Sequence, residues 1–231
     1  PSGSGKTTLL RLMLGLRVPQ AGTVRLDGVD LQAWPREQLA GAVGYLPQDV
    51  ALFAASVAQN IARLGPVDSG RVLDAARLAG VHELIARLPQ AYDTVIGEAG
   101  TSLSGGHCQR IALARALYGL PRLVLLDEPN AHLDSEGEEA LSAAIDALKR
   151  AGSTVVLVSH RPALMRHADR LAVLREGVLE AIGPRDAMLA RLSGSTVQRL
   201  RPAADPGLAA ALPATPPAAF PAALPAQGAH A

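Results

Sequence analysis

The chain opens with Pro1-Ser2-Gly3-Ser4-Gly5-Lys6-Thr7-Thr8, and this stretch decides the fold. Gly3 and Gly5 allow the backbone to curl so that successive N–H groups point at phosphate oxygens, and the helical pattern that follows adds a positive N-terminal dipole. Lys6 supplies a charge for the β- and γ-phosphates, and Thr7 supplies the hard oxygen ligand that Mg²⁺ prefers. The stretch therefore predicts a phosphate-binding loop that works with magnesium.

The complete pattern G-x-x-x-x-G-K-[ST] also needs a glycine directly before Pro1 and a strand before that glycine. We therefore expect the sequence to be a fragment whose upstream part supplies both features. For this stretch alone the alternative stays open that a Gly/Ser-rich turn happens to precede a helix, because the pattern has false positives.

The overall composition is that of a globular protein, with 231 residues, 48% hydrophobic residues and a formal net charge of +1. A chain of this length can bury one large core or two small ones. A near-neutral charge without basic blocks lacks the electrostatic footprint of nucleic-acid binding, so we expect no nucleic-acid partner. The single cysteine, Cys108, excludes an internal disulfide and fits a reducing compartment. Because no apolar run approaches the roughly 18 residues that cross a bilayer, any spanning part is expected upstream.

The sequence contains segments with the pattern of strands and segments with the pattern of helices. A hairpin is predicted around Asp27-Gly28, the stretch 56–118 reads as mostly helical, and another hairpin and a last helix are predicted after residue 170. Continuous apolar runs that predict buried strands occupy 42–46, 123–126 and 154–158. Because such strands separated by helices are typical of a parallel sheet covered on both faces, we predict an α/β fold.

Polar residues follow the predicted strands directly. Asp127 and Glu128 follow one strand, His160 follows another, and Gln48 follows a strand that Pro47 ends. Ligands of parallel sheets lie at the carboxyl ends of the strands, so these side chains are candidates for the site. Taken singly, each has an ordinary reading as a turn residue, a solvent-facing histidine or an acidic pair at a helix start.

These motifs identify the chain as similar to a known family. Leu103-Ser104-Gly105-Gly106, followed by the strand that ends in Asp127-Glu128, then Leu133-Asp134 and then His160, resembles the ATP-binding-cassette ATPases over nearly all of residues 1–200. The resemblance implies an α/β P-loop NTPase with a mostly parallel RecA-like sheet and an inserted α-helical subdomain.

The resemblance also implies a domain organisation. Residues 1–47 and 119–200 are expected to form the RecA-like core, and residues 48–118 the helical subdomain with the signature motif. Residues 201–231 are rich in alanine and proline, and we expect them to be disordered. A transmembrane domain is expected upstream in the same polypeptide.

The resemblance assigns roles to individual residues. Thr7, Gln48 and Asp127 would hold Mg²⁺, and Lys6, Glu128 and His160 would be catalytic, with Glu128 polarising the attacking water and His160 contacting the γ-phosphate. This set suffices chemically because phosphoryl transfer needs mainly positioning and charge stabilisation. The residues expected to bind ATP are Pro1, Ser2, Gly3, Ser4, Gly5, Lys6, Thr7, Thr8, Gln48, Ser104, Gly105, Gly106 and Asp134.

A second subunit is implied as well. Ser104, Gly105 and Gly106 open a helix, and in the family this segment caps the γ-phosphate bound to the opposite subunit. A head-to-tail homodimer with nucleotides at its interface follows, with Asp134 crossing the same seam. The chain departs from the family in having His107 and Cys108 where glutamine and a basic residue are usual, although an imidazole can still donate one hydrogen bond.

Further stretches indicate a subclass. Thr94–Gly100 is similar to the segment that touches the transmembrane domain in exporters. Gln48–Phe53 and Asn130 look like type I secretion ATPases of the protease/lipase exporter class. That resemblance implies a motor at the cytoplasmic face of a bacterial inner membrane, a periplasmic adaptor, an outer-membrane channel and a secreted polypeptide as substrate.

Two other functions stay open at this point. One is a soluble ABC-type ATPase acting on nucleic acid or ribosomes, which the neutral charge disfavours. The other is a catalytically weak regulatory cassette, which His107 and Cys108 make conceivable. The presence of both Glu128 and His160 argues against the second.

Overall fold

The structure is a computed structural model that describes residues 4–97 and 103–193, with the side chain of Ser193 left aside. Pro1, Ser2, Gly3 and the end of the exporter-like stretch at 98–100 lie outside the described residues, as does the predicted disordered tail at 201–231.

Helices and strands alternate along the described chain. The strands are β1 (Arg25–Leu26), β2 (Val29–Asp30), β3 (Val43–Leu46), β4 (Leu123–Asp127), β5 (Thr154–Val158), β6 (Arg170–Arg175) and β7 (Val178–Pro184). The α-helices are α1 (Lys6–Met13), α2 (Arg36–Ala42), α3 (Val57–Ile61), α4 (Ser69–Leu78), α5 (His82–Ala86), α6 (Gly105–Leu117), α7 (Ser135–Arg150), α8 (Pro162–Met165) and α9 (Arg185–Ser193). None of these helices is long and apolar enough to cross a membrane.

The central sheet is parallel, as predicted, with the order β3-β4-β5. All residues of β4 are buried, because it has a strand on each side and helices on each face. The expectation of a fully buried sheet is wrong for β5, whose Thr154 is exposed and whose other residues are half-buried. The reason is that β5 is an edge strand among the described residues, so one of its sides has no strand beside it.

The two predicted hairpins are confirmed. β1 pairs with β2 through Asp27-Gly28, and β6 pairs with β7 through Glu176-Gly177. Both residues of each turn have positive φ, at 50° and 80° in the first and 50° and 78° in the second. This conformation matches the right-handed twist of the strands and explains why glycine occupies the second position.

The two faces of β4 belong to two different cores. Leu123 and Leu125 pack in a small cluster with Leu10 of α1. Val124 and Leu126 point the other way, into a larger core shared with α3, α4, α6 and α7. This division follows from the two-residue period of a strand. The helical stretch therefore shares its core with one face of the sheet.

Helix α6 lies unusually close to β3. A Cβ atom added to Gly44 would lie 2.0 Å from the Ala116 carbonyl oxygen, so only glycine fits there. Arg63 strengthens this junction, and burial lowers the pKa of its guanidinium. Its guanidinium donates hydrogen bonds to the carbonyl oxygens of Ala40, Val43, Arg115, Ala116 and Tyr118.

Candidate functional site

A cleft of about 550 Å³ opens at the carboxyl ends of β4 and β5. It contains most of the described residues that the sequence predicts for the site. Its lining comprises Ser4, Gly5, Lys6, Thr7, Thr8, Gln48, Asp127, Glu128, Asn130, Ala131, Val158 and His160. The signature residues Ser104, Gly105 and Gly106 and the predicted seam residue Asp134 are outside this lining.

The loop before α1 has the geometry of an anion cradle. Gly5 occupies the N-cap position of α1 with a φ of 91°, and as a glycine it has no side chain that could cap the first N–H groups. The turn between β6 and β7 holds this loop, because the Gly177 N–H donates to the Ser4 carbonyl oxygen at 3.1 Å. The Lys6 ammonium donates to the Ser4 hydroxyl at 3.0 Å. The helix start is therefore open toward an anion in the cleft.

Thr7 and Asp127 meet across the cleft. The Thr7 hydroxyl donates to Asp127 Oδ2 at 3.0 Å, and Asp127 is only 1% exposed. A hydroxyl and a carboxylate at this separation are hard oxygen donors of the kind that Mg²⁺ selects. The donor set on the structure therefore fits the predicted magnesium ion.

Glu128 and His160 line the same cleft. Glu128 has the left-handed φ of 49°, a conformation rare outside glycine that concentrates at functional sites. Its N–H donates to the Val158 carbonyl oxygen at 2.9 Å, which extends the pairing of β4 and β5 by one step. His160 Nε2 lies 3.2 Å from Glu128 Oε1. The carboxylate and the imidazole thus contact each other in the cleft that Lys6 and Thr7 also line.

Gln48 lies two residues after the end of β3, is exposed and lines the cleft. Tyr45 is within β3, and burial, followed by the charge of Asp127, raises the pKa of its phenol. Asp127 itself is 1% exposed, so its carboxylate lies in a region poor in solvent, where electrostatic contacts are stronger.

The second Ser-Gly segment lies elsewhere on the surface. The Ser104 hydroxyl accepts a hydrogen bond from the His107 N–H at 3.3 Å and so caps α6, as predicted. A Cβ atom on Gly106 would lie 2.9 Å from the His132 carbonyl oxygen. Ser104 and Gly105 are exposed.

Asp134 has contacts within its own chain. It caps α7 by accepting from the Gly137 N–H at 2.9 Å, and its Oδ1 pairs with Arg110 at 2.5 Å. The hydrogen bond from Gly137, followed by the one from Arg110, lowers the pKa of the Asp134 carboxyl. Arg110 is on α6, so this contact joins the signature helix to the start of α7.

Sequence reasoning missed several supporting residues. Asn130, noted only as a subclass marker, is 8% exposed, lines the cleft and accepts a hydrogen bond from the Ser159 hydroxyl at 3.1 Å. Its position directly after Asp127-Glu128-Pro129 was an available signal. Gly177 carried no such signal, because its contact with Ser4 joins residues far apart in the sequence.

The sequence of this chain is similar to those of known proteins. A family profile described as ABC transporter matches residues 1–131. The chain is 49% identical over 193 residues to the type I secretion system ATP-binding protein PrsD of Rhizobium meliloti (strain 1021), covering 83% of this chain and 33% of that protein. It is 41% identical over 198 residues to the mitochondrial ATP-binding cassette sub-family B member 10 of Mus musculus, covering 84% and 28%.

A solved structure is similar as well. It is described as a bacterial Atm1-family ABC exporter with ATP bound, with a TM-score of 0.75 and 35% sequence identity. The match covers 83% of this chain and 34% of that one. The chain thus spans about a third of the length of each of these three relatives.

Proposed function

The chain belongs to the ABC transporter family, and on this premise we propose that it is the ATP-hydrolysing motor of a type I secretion exporter. The ATP-binding domains of this family are ATPases, and the fold described above is theirs. The observation that carries the proposal is one cleft that Lys6, the Thr7–Asp127 pair and the Glu128–His160 pair line together.

Each residue has a role that its position supports. Lys6 and the N–H groups of the loop bind the phosphates of ATP, and Thr7, Gln48 and Asp127 hold Mg²⁺. The metal supplies charge neutralisation at the phosphates. Glu128 orients the attacking water, and His160 contacts the γ-phosphate and keeps Glu128 in place. Glu128, whose backbone is left-handed, lines this cleft.

The signature segment acts on a second nucleotide in this proposal. Ser104, Gly105 and Gly106 open α6 on the surface and do not line the cleft of their own chain. In a head-to-tail homodimer they would cap the γ-phosphate bound to the opposite subunit, with Asp134 at the same seam. The two parts of this motor would be the core at 1–47 and 119–200 and the helical subdomain at 48–118, which share the larger hydrophobic cluster.

The similarity to secretion ATPases extends the proposal from the motor to the whole exporter. The support is the similarity to a type I secretion ATP-binding protein, together with Asn130 and the Gln48–Phe53 stretch. The motor is joined to a transmembrane domain of the same polypeptide at the cytoplasmic face of a bacterial inner membrane. A periplasmic adaptor and an outer-membrane channel complete the route, and the substrate is a polypeptide.

The test of ATP hydrolysis is Glu128→Gln in the purified full-length protein. ATP affinity should stay at the wild-type value, and turnover should fall at least about 100-fold, because the amide cannot act on the attacking water. Glu139→Gln, an exposed carboxylate on α7, is the matched control and should keep wild-type turnover. Equal turnover in the wild type and Glu128→Gln would remove Glu128 from the mechanism.

The test of secretion compares the proteins released by cells with the wild-type gene and by cells with the Glu128→Gln gene. A polypeptide that disappears from the medium only in the variant supports the type I assignment. An unchanged set of released proteins, in cells whose purified wild-type protein hydrolyses ATP, would contradict secretion and leave an exporter of another substrate.

A further inference from the structure

The loop after β5 is attached to the segment that follows β4 by three consecutive side chains. Each of residues 159–161 contacts a different residue between 128 and 138. The contacts are Ser159 Oγ to Asn130 Oδ1 at 3.1 Å, His160 Nε2 to Glu128 Oε1 at 3.2 Å, and Arg161 Nη1 to Glu138 Oε1 at 2.5 Å. Of these three contacts, only the middle one belongs to the proposed catalytic pair of Glu128 and His160.

The His160 ring is not fixed by packing. Its side chain is 61% exposed, whereas that of Glu128 is 20% exposed. Holding an exposed side chain in one orientation costs conformational entropy, and packing around the His160 ring does not offset that cost. We therefore expect the position of the ring to depend on how firmly the backbone of its loop is held.

Arg161 fixes that backbone from the next position. Its N–H donates to the Ser159 hydroxyl at 3.0 Å, which closes a tight turn around His160. Its guanidinium reaches Glu138, the fourth residue of α7. Helix α7 is 16 residues long and is anchored in the larger core through Leu141 and Leu148. The loop is thus tied to a rigid element.

We propose that Glu138 and Arg161 are positioning residues that hold His160 against Glu128 during ATP hydrolysis. The inference rests on the proposed function, because it assigns these residues to the same site. Neither residue lines the cleft, so neither is expected to contact ATP.

The pair suits a positioning role better than a folding role. The side chains are 54% exposed for Arg161 and 34% exposed for Glu138. Ion pairs this open to water contribute little to folding, so replacing either residue should leave a folded protein. The effect should therefore show in the rate of hydrolysis rather than in stability.

The test uses Glu138→Gln, Arg161→Gln and the double variant in the purified full-length protein. Each single variant should lower kcat about tenfold, because a small displacement of a catalytic group lowers the rate strongly, while KM for ATP stays unchanged. The double variant should be no slower than either single variant, because both substitutions break the same contact. Glu139→Gln, the next residue on α7, should keep the wild-type kcat.

Two results would overturn the inference. One is a wild-type kcat in Glu138→Gln, and the other is a double variant whose loss equals the product of the single losses, which indicates separate structural roles. The wild type and Glu128→Gln, measured in the same experiment, distinguish failure of the proposed function from failure of the positioning role. If the wild type does not hydrolyse ATP, the proposed function fails. If the wild type is active and Glu128→Gln is inactive while Glu138→Gln keeps the wild-type rate, only the positioning role fails.

Discussion

Two segments of this chain have almost the same local chemistry and very different surroundings. Ser4-Gly5 precedes α1, and Ser104-Gly105-Gly106 opens α6. In both, small residues bring backbone N–H groups to the start of a helix, where a dipole favours anions. The first segment lies in the cleft with Asp127 and Glu128, whereas the second is on the surface outside that cleft.

The two segments also differ in their caps. The N-cap of α1 is Gly5, which has no side chain, so no side-chain oxygen caps the start of α1. The N-cap of α6 is Ser104, whose hydroxyl already accepts from the His107 N–H at 3.3 Å. A Ser-Gly helix start thus favours anions in general, while the residues around it decide whether chemistry can take place there.

The largest expected effect comes from Lys6→Ala in the first segment. Removing the ammonium should raise the Kd for ATP at least about 100-fold, or about 3 kcal/mol, because charge-assisted phosphate contacts are among the strongest in proteins. Ser104→Ala in the second segment should leave the Kd of the isolated subunit unchanged. Isothermal titration with ATP under conditions where the protein is monomeric measures both values, and equal losses would contradict the distinction between the segments.

The next effect concerns the anchoring of the second segment. Gly44→Ala places a Cβ atom 2.0 Å from the Ala116 carbonyl oxygen at the end of α6. We expect the free energy of unfolding to fall by about 3 kcal/mol, because overpacking against backbone displaces whole elements. Gly41→Ala is the control, since a Cβ atom there meets nothing within 4 Å and alanine favours the helix. Chemical denaturation should give the two substitutions opposite signs.

A smaller effect is expected from the cap of α6. Ser104→Ala removes the acceptor for the His107 N–H and should lower the free energy of unfolding by about 1 kcal/mol. Ser135→Ala, which changes an exposed serine just after the Asp134 cap of α7, should stay within about 0.5 kcal/mol of the wild type. Urea unfolding followed by circular dichroism measures both changes in the free energy of unfolding. Equal changes in the two variants would show that Ser104 does not stabilise α6 as a cap.

The smallest effect is electrostatic and depends on pH. The Gly137 N–H, followed by Arg110, lowers the pKa of Asp134 in the folded chain. A carboxyl with a depressed folded pKa stabilises the fold above its unfolded pKa of about 3.9, and this contribution is lost as the pH falls through the folded pKa.

Asp134→Asn keeps a capping oxygen and removes the charge. The wild type should therefore be slightly more stable than the variant at pH 7, and the gap should narrow on acidification below about pH 4. Urea unfolding across this pH range at low ionic strength measures the gap. A constant difference would mean that the charge of Asp134 does not stabilise the fold.

The sequence predicted the central features of the site because their signals are local. Gly5, Lys6 and Thr7 form a recognisable loop, and Asp127, Glu128 and His160 directly follow apolar strands. Parallel strands place their carboxyl ends at one edge, so these residues had to meet.

Other features were beyond prediction because they depend on contacts between distant residues. Arg63 bonds carbonyl groups in two distant stretches of the chain, and Gly177 supports Ser4 from the far hairpin. The half-burial of β5 was also missed, because an apolar run of five residues reads the same in the middle and at the edge of a sheet.

The sequence by itself determined the family, the α/β class and the residue types at the phosphate loop, because each follows from short-range pattern and chemistry. The tertiary structure alone decided which of the two Ser-Gly segments lines the cleft with Asp127 and Glu128, and that Arg161 reaches Glu138. The physical reason is that hydrogen bonds and ion pairs require atoms to lie within a few ångströms, and only the packing of β4, β5 and α7 brings those atoms together.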